Sequence, residues 1–265
     1  MQLTDFGTLL TFARHGWRRS ATQRAAALGL LLLYWLILLI FWGLWHATSA
    51  AELTDANVSR AGLFWYLIVT ECIALSVGIP FRNVESEINN GDIAAGWMRP
   101  IPYALATLSE WAGHTLHRFV VLAIGGTVAG VWMIGSMPIA LAALPILAVS
   151  TAIACVSMLL CHLQIGYAAA WVTSSTPLFW IWQKLSFVFG GLLIPLSIYP
   201  PTLQHISLCT PFAGMLYAPA SLVFGPAPGD AAGTLAAQLG WLLALGFATW
   251  AVDRAVATRF ALRGI

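Results

Sequence analysis

The residues able to do chemistry in this sequence are few and fall in four places. The segment "EWAGHTLHR" sets Glu110, His114, His117 and Arg118 three and four residues apart, on one face of a helix. Glu110, His114 and His117 are metal-ligand types, yet no fourth ligand or Cys/His cluster stands near them. The segment therefore reads as the solvated face of a helix, with no metal site. Two single charges, Glu71 and Lys184, lie inside apolar runs. At membrane depth such groups are costly unless they are paired or face a cavity. Three readings stay open for them. One is a structural Glu71–Lys184 pair, or a neutral Glu71 held by Gln183 or a backbone carbonyl. The second is a polar point in a transport path, and the third a proton carrier at Glu71. The third place is the charged stretch "FRNVESEINNGDIAAGWMRPIPYALATLSEWAGH". The fourth is the segment 195–228, which holds seven of the thirteen prolines.

Several chemistries are excluded at once. Lys184 is the only lysine, and no Gly-rich loop precedes it, so the chain lacks the phosphate cradle of an ATPase. No Ser–His–Asp or paired-carboxylate arrangement can be assembled from spacing, so no catalytic residue, cofactor or enzymatic activity is assigned. His162 and Gln164 suit helix–helix hydrogen bonding. Cys72, Cys155, Cys161 and Cys209 lie in or near apolar runs without CxxC spacing, and read as small buried hydrophobes.

The elements that position these residues are membrane helices. The chain has 265 residues, 60% hydrophobic and only 8% charged, whereas a soluble domain carries roughly a quarter charged residues. Mean hydropathy is +0.83. The deficit of charge runs the whole length, which implies a single all-α transmembrane domain, 1–265. Six stretches reach the length of about 20 apolar residues that a crossing requires: 27–46, 61–80, 114–134, 139–168, 177–198 and 234–252. The fourth is long for one straight span and invites a bend at Pro145. A long basic segment before the first span argues for a retained span rather than a cleaved signal.

Arginine placement sets the orientation. With six spans, ten arginines fall on one side: Arg14, Arg18, Arg19 and Arg24, then Arg82, Arg99 and Arg118, then Arg254, Arg259 and Arg263. Only Arg60 lies opposite. The positive-inside rule puts both termini and the 81–113 loop in the cytoplasm of a multi-pass cell-membrane protein. A net charge of +2 is neutral on nucleic acid, and no nucleic-acid partner is expected. Within 1–26, Leu3, Phe6, Leu10, Ala13 and Trp17 recur at helical spacing, giving an amphipathic helix that lies in the interface. Trp35, Trp42, Trp45, Trp65, Trp180 and Trp182 cluster towards span ends as an aromatic belt. Gly125, Gly126 and Gly130, and likewise Gly190-Gly191, permit close helix packing.

Within the 81–113 loop, residues 82–89 can form a short helix stopped by Asn90-Gly91 in a left-handed turn. Asp92 can cap a second short helix through Met98, and Pro100 and Pro102 end it. Helices this short must pack against the chain's own span ends or a docking partner.

The run "INNGDIAAGWMRPIPYALATLSEWAG" resembles the cytoplasmic loop of ABC-2-type exporter permeases, in a six-span subfamily with the pattern G-[DE]-I-x-x-x-x-x-[RK]-P-[IL]. Gly91, Asp92, Ile93, Arg99, Pro100 and Ile101 match it in place. The late run "GGLLIPLSIYPPTLQHISLCTPFAGMLYAPASLVFG" is similar to the family's broken fifth span and outer re-entrant segment, through Pro195, Pro200, Pro201, Pro211, Pro219 and Gly225. The resemblance covers essentially the whole chain. It implies that 82–98 is a coupling segment docking into a separate ATPase subunit, which would hold the ATP and Mg. Glu85, Glu87 and Asp92 would pair with basic rim residues, beside Arg99. Ile88, Ile93 and Trp97 would be apolar anchors, Trp97 serving equally as an interfacial residue. It also implies a translocation path formed with a second permease copy or a similar permease, and a re-entrant 199–233 segment acting as an outer gate. Phe187, Phe189, Leu193, Ile198, Phe212 and Leu216 would make that gate largely apolar. The rival readings are a proton-coupled secondary transporter using Glu71, an intramembrane enzyme near His114, and a membrane scaffold with no path.

Overall fold

The structure is a computed structural model that describes residues 6–47, 59–135, 143–224 and 230–262. Every regular element among the described residues is helical. Helix α1 spans Phe6–Thr22, α2 Arg24–Ala47, α3 Arg60–Ser76, α4 Phe81–Asn90 and α5 Ile93–Trp97. Helix α6 runs Tyr103–Ile134, α7 Leu144–Tyr167 and α8 Thr176–Phe189. After them come α9 (Pro201–Leu208), α10 (Pro211–Met215), α11 (Tyr217–Ser221) and α12 (Asp230–Leu262). Leu3, Gly225 and Arg263 lie outside the described residues.

Five helical segments are long and apolar enough to cross a membrane: Arg24–Ala47, Arg60–Asn90, Tyr103–Ile134, Leu144–Ala170 and Ala232–Ala261. The stretch 177–198 behaves differently. Its helix stops at Phe189 after 14 residues, which is about 21 Å of rise and short of the roughly 30 Å of a bilayer core. Gly190-Gly191 is where it breaks, Gly191 adopting φ +65°, so this pair ends the helix and also lets it approach Phe212 and Leu216 closely, with no room for a Cβ at Gly190. Pro145 stands in the first turn of α7, where a missing N–H costs nothing, so it begins that helix instead of bending it.

Hydrophobic packing assembles the bundle in three larger regions and a smaller fourth, where Phe81, Ile165 and Phe179 join α4, α7 and α8. Tyr34, Leu38, Trp65, Ile68, Leu122 and Ala129 join α2, α3 and α6. Trp65 is thus buried in a core and does not belong to an outer aromatic belt. Ile73, Met158, Leu159, Leu192, Met215 and Leu216 pack α3 and α7 on the broken 190–216 segment. Val84, Ile88, Ile93, Tyr103, Leu163, Tyr167, Val256 and Phe260 gather α4, α5 and the ends of α6, α7 and α12. Cys72, Cys155 and Cys161 are buried as expected of small hydrophobes, whereas Cys209 is exposed.

Helix α1 packs mainly on α6. The two backbones touch where Gly16 meets the Glu110 carbonyl and Gly113 meets the Ala13 carbonyl, leaving no room for a Cβ at either glycine. Phe6, Leu10 and Trp17 remain exposed, an apolar strip suited to a membrane interface.

Candidate functional site

The charged stretch folds as a two-helix platform at the arginine-rich end of the bundle. Helix α4 stops at Gly91, whose φ of +80° only glycine adopts without strain, and the Gly91 N–H donates to the Ile88 carbonyl. Asp92 then opens α5, but its side chain makes no capping hydrogen bond, so the expected Asp92 cap is absent and the packing of Ile93 holds this short helix instead.

The platform has two faces. Ile88 and Ile93 are buried in the chain's own core and do not project as docking anchors. Glu85 accepts a hydrogen bond from the Ser175 hydroxyl, just before α8. Glu87 accepts one from the Tyr103 hydroxyl at 2.7 Å, at the start of α6. Trp97 donates its indole N–H to Asp253 Oδ1 of α12 at 3.2 Å, and the Tyr167 hydroxyl of α7 donates to the same oxygen at 2.8 Å. Carboxylates read from sequence as outward-facing are thus turned inward, because hydroxyl donors distant in sequence meet them there. The outward face carries Arg82, Ser86, Asn89, Asn90, Asp92, Met98 and Arg99, all exposed, with Met98 at 81%. Ser175, Tyr103, Tyr167 and Asp253 are not legible as site residues; the one available signal is a lone acidic residue beside the arginines that follow the last apolar run.

Glu71 and Lys184 do not come together. Glu71 is buried in α3 at 5% exposure and makes no ion pair among the described residues. Lys184 is exposed on α8, its Nζ 5.9 Å from the Trp180 ring centroid and 5.6 Å from that of Phe187, a cation–π arrangement that offsets part of its desolvation. Glu110 and His117 are partly solvated and are also tied to α1. Glu110 pairs with Arg19 of α1 at 3.2 Å, and His117 shares a hydrogen bond with Ser20 at 2.9 Å. No group of three metal-ligand types comes together among the described residues. Gln164 donates to the Leu245 carbonyl and to Thr249 of α12, the helix–helix role its type suggested. His162 sits among the rings of Phe81, Phe179 and Trp182.

At the opposite end, the prolines start short helices. Pro195 precedes a turn of 3-10 helix at Leu196–Ile198, Pro200 and Pro201 open α9, and Pro211 opens α10. Backbone of this irregularity requires partners away from water. Tyr66 of α3 donates to the Gly191 carbonyl, and Thr70 to the Leu192 carbonyl at 2.7 Å. Gln238 of α12 is the third tie. It is 2% exposed, accepts from the Ser150 hydroxyl at 2.9 Å, and donates to the Ser150 carbonyl at 3.2 Å and the Gly214 carbonyl at 2.7 Å. Gln238→Leu is expected to cost about 1–2 kcal/mol and to lower the unfolding temperature in detergent. An unchanged midpoint would refute this tie between α7, α10 and α12.

The fold and these sites define the class: an all-helical protein with five helices fit to cross a membrane, carrying a polar platform at its arginine-rich end. No family model and no curated protein matches the chain.

Proposed function

We propose that this chain is the membrane-spanning permease subunit of an ATP-driven exporter of the ABC-2 type. In this reading, α8 and the broken chain after it complete a sixth crossing in two pieces, and 199–233 is a re-entrant outer segment. The arginine-rich end then lies in the cytoplasm of the cell membrane. Two permease copies, or this chain and a similar one, form the path between them, and separate ATPase subunits hold the ATP and Mg. Glu71 and Lys184 are polar points in or beside that path. The ends of the short helices at Pro195, Pro200, Pro201 and Pro211 form the outer gate.

The observation that carries the reading is the two-faced platform of α4 and α5. Its outward side presents Arg82, Asn89, Asp92, Met98 and Arg99 with no intramolecular role for those side chains in its packing core. Its inward side is bonded through Glu85, Glu87 and Trp97 to residues on or next to α6, α8 and α12, and through Asp253 to α7. A load applied to the outer side would therefore reach four long or path-forming helices together, which is what a rigid-body switch needs. Asp92, Met98 and Arg99 are the contact residues in this scheme, while Glu85, Glu87, Ile88, Ile93 and Trp97 transmit.

Affinity purification of the tagged chain from its native membrane in mild detergent tests this. A soluble ATPase should accompany the unmodified chain and fall at least about tenfold in an Asp92→Arg, Met98→Glu double variant, a loss of about 1.4 kcal/mol in binding. An ATPase retained by the variant moves the docking face elsewhere. No ATPase with either protein removes the exporter reading and favours proton coupling at Glu71, which is buried and without an ion pair among the described residues.

A further inference from the structure

Next to the α1–α6 crossing the two helices leave a cavity of about 210 Å³, bounded by Arg19 and Gln23 of α1, Gly78 and Ile79 after α3, and Glu110, Trp111, His114 and Arg118 of α6. Its charge is unbalanced. Glu110 is the only carboxylate on the wall and is engaged by one guanidinium nitrogen of Arg19 at 3.2 Å. Arg118 is half-buried and has no ion pair among the described residues. His114 Nδ1 is buried with no hydrogen-bond partner among the described residues. Two guanidiniums against one carboxylate leave one positive charge uncompensated in a partly desolvated place, where an unpaired ion is strongly unfavourable. The forked N–H groups of arginine match the oxygens of a phosphate, and the unpartnered His114 nitrogen and the Gln23 amide add further donors.

The surroundings indicate where such a phosphate would come from. Helix α1, which supplies Gly16 and Arg19 to the wall, keeps Phe6, Leu10 and Trp17 exposed along its length, and a helix of that kind lies at the level of lipid headgroups. Basic pockets between membrane helices at that depth take anionic headgroups. We propose that this cavity binds the phosphate of an anionic phospholipid, held by Arg118 and Arg19 with His114 behind them. The site is independent of what the chain transports, and of whether it transports at all.

The test uses the full chain in a mild non-ionic detergent, titrated calorimetrically with dioctanoyl phosphatidylglycerol. One equivalent should bind per chain, and dioctanoyl phosphatidylcholine should bind at least about tenfold more weakly. Arg118→Gln should weaken the phosphatidylglycerol affinity about tenfold, while Arg254→Gln, at an exposed arginine over Trp250, should leave it unchanged. Arg19→Gln provides a second variant that spares the fold, because the Arg19 side chain is 49% exposed; it should weaken binding severalfold. Equal affinity of the wild type and both cavity variants would overturn the site. Displacement of the lipid by millimolar inorganic phosphate would assign the cavity to soluble phosphate and overturn the lipid; failure of phosphate to compete supports the lipid.

Discussion

Asp253→Ala is expected to cost about 2–4 kcal/mol, because it strands two donors at once. Tyr167 is fully buried, and its hydroxyl and the Trp97 indole N–H both end on Asp253 Oδ1. Neither finds another acceptor in the hydrogen bonds of this region. Asp253→Asn separates geometry from charge. A carboxamide oxygen can accept both bonds, so this variant should lose about 1 kcal/mol or less, the charge-assisted share of the interaction. Thermal unfolding in detergent gives the order wild type, Asn, Ala. Hydrogen exchange should show faster exchange at α5 in the alanine variant, with α2 and α3 unaffected. Equal losses for Asn and Ala would mean that the negative charge, not the shared acceptor, is what holds the platform. In either case Asp253 ties α5 to α7 through Trp97 and Tyr167.

The legibility of these features in the sequence follows the range of the forces behind them. Long apolar runs are a local signal, and they mark the five helices long and apolar enough to cross a membrane. The Asn90-Gly91 stop was also legible, because one backbone angle selects one residue type. Glu85 and Glu87 were harder. An acidic side chain in a loop favours water unless a donor is brought to it, and Ser175 and Tyr103 are brought only by folding, 90 and 16 residues away. Asp253 and Trp97 are 156 residues apart, and no periodicity relates them. The same limit separated Glu71 from Lys184: similar depth made a pair conceivable, but which way each side chain faces on its helix depends on packing that composition does not encode. The early end of the helix in 177–198 has a different cause. Hydropathy sums over a window and does not register that two adjacent glycines, followed by Pro195, let the chain leave the helix where Tyr66 and Thr70 can bond the freed carbonyls.

Gly113→Val is expected to detach α1 from the bundle. A Cβ on Gly113 would overlap the Ala13 carbonyl, and backbone cannot swing aside as a flexible side chain does. Relief requires the helices to separate, at an expected cost of about 3 kcal/mol. Separation would also lengthen the Arg19–Glu110 and Ser20–His117 links and open the cavity that Arg19 and Glu110 border. The consequence should be confined. Helix α1 contributes Gly16 and Ser20 as its buried residues, so the cores built by Tyr34, Trp65 and Leu122, or by Ile93 and Phe260, do not depend on it. Hydrogen exchange should therefore quicken about a hundredfold across α1, the factor that about 3 kcal/mol implies, and remain as before in α3 and α7. Gly29→Ala supplies the contrast. Nothing lies within 4 Å of a Cβ there, and alanine is the better helix former by about 1 kcal/mol, so this variant should be neutral or stabilising. If Gly113→Val left the protection of α1 intact, the close backbone approach would not be what fixes the helix, and the burden would shift to the Arg19 and Ser20 side chains. If it quickened exchange throughout the chain, α1 would be part of the cooperative core rather than a helix laid against it.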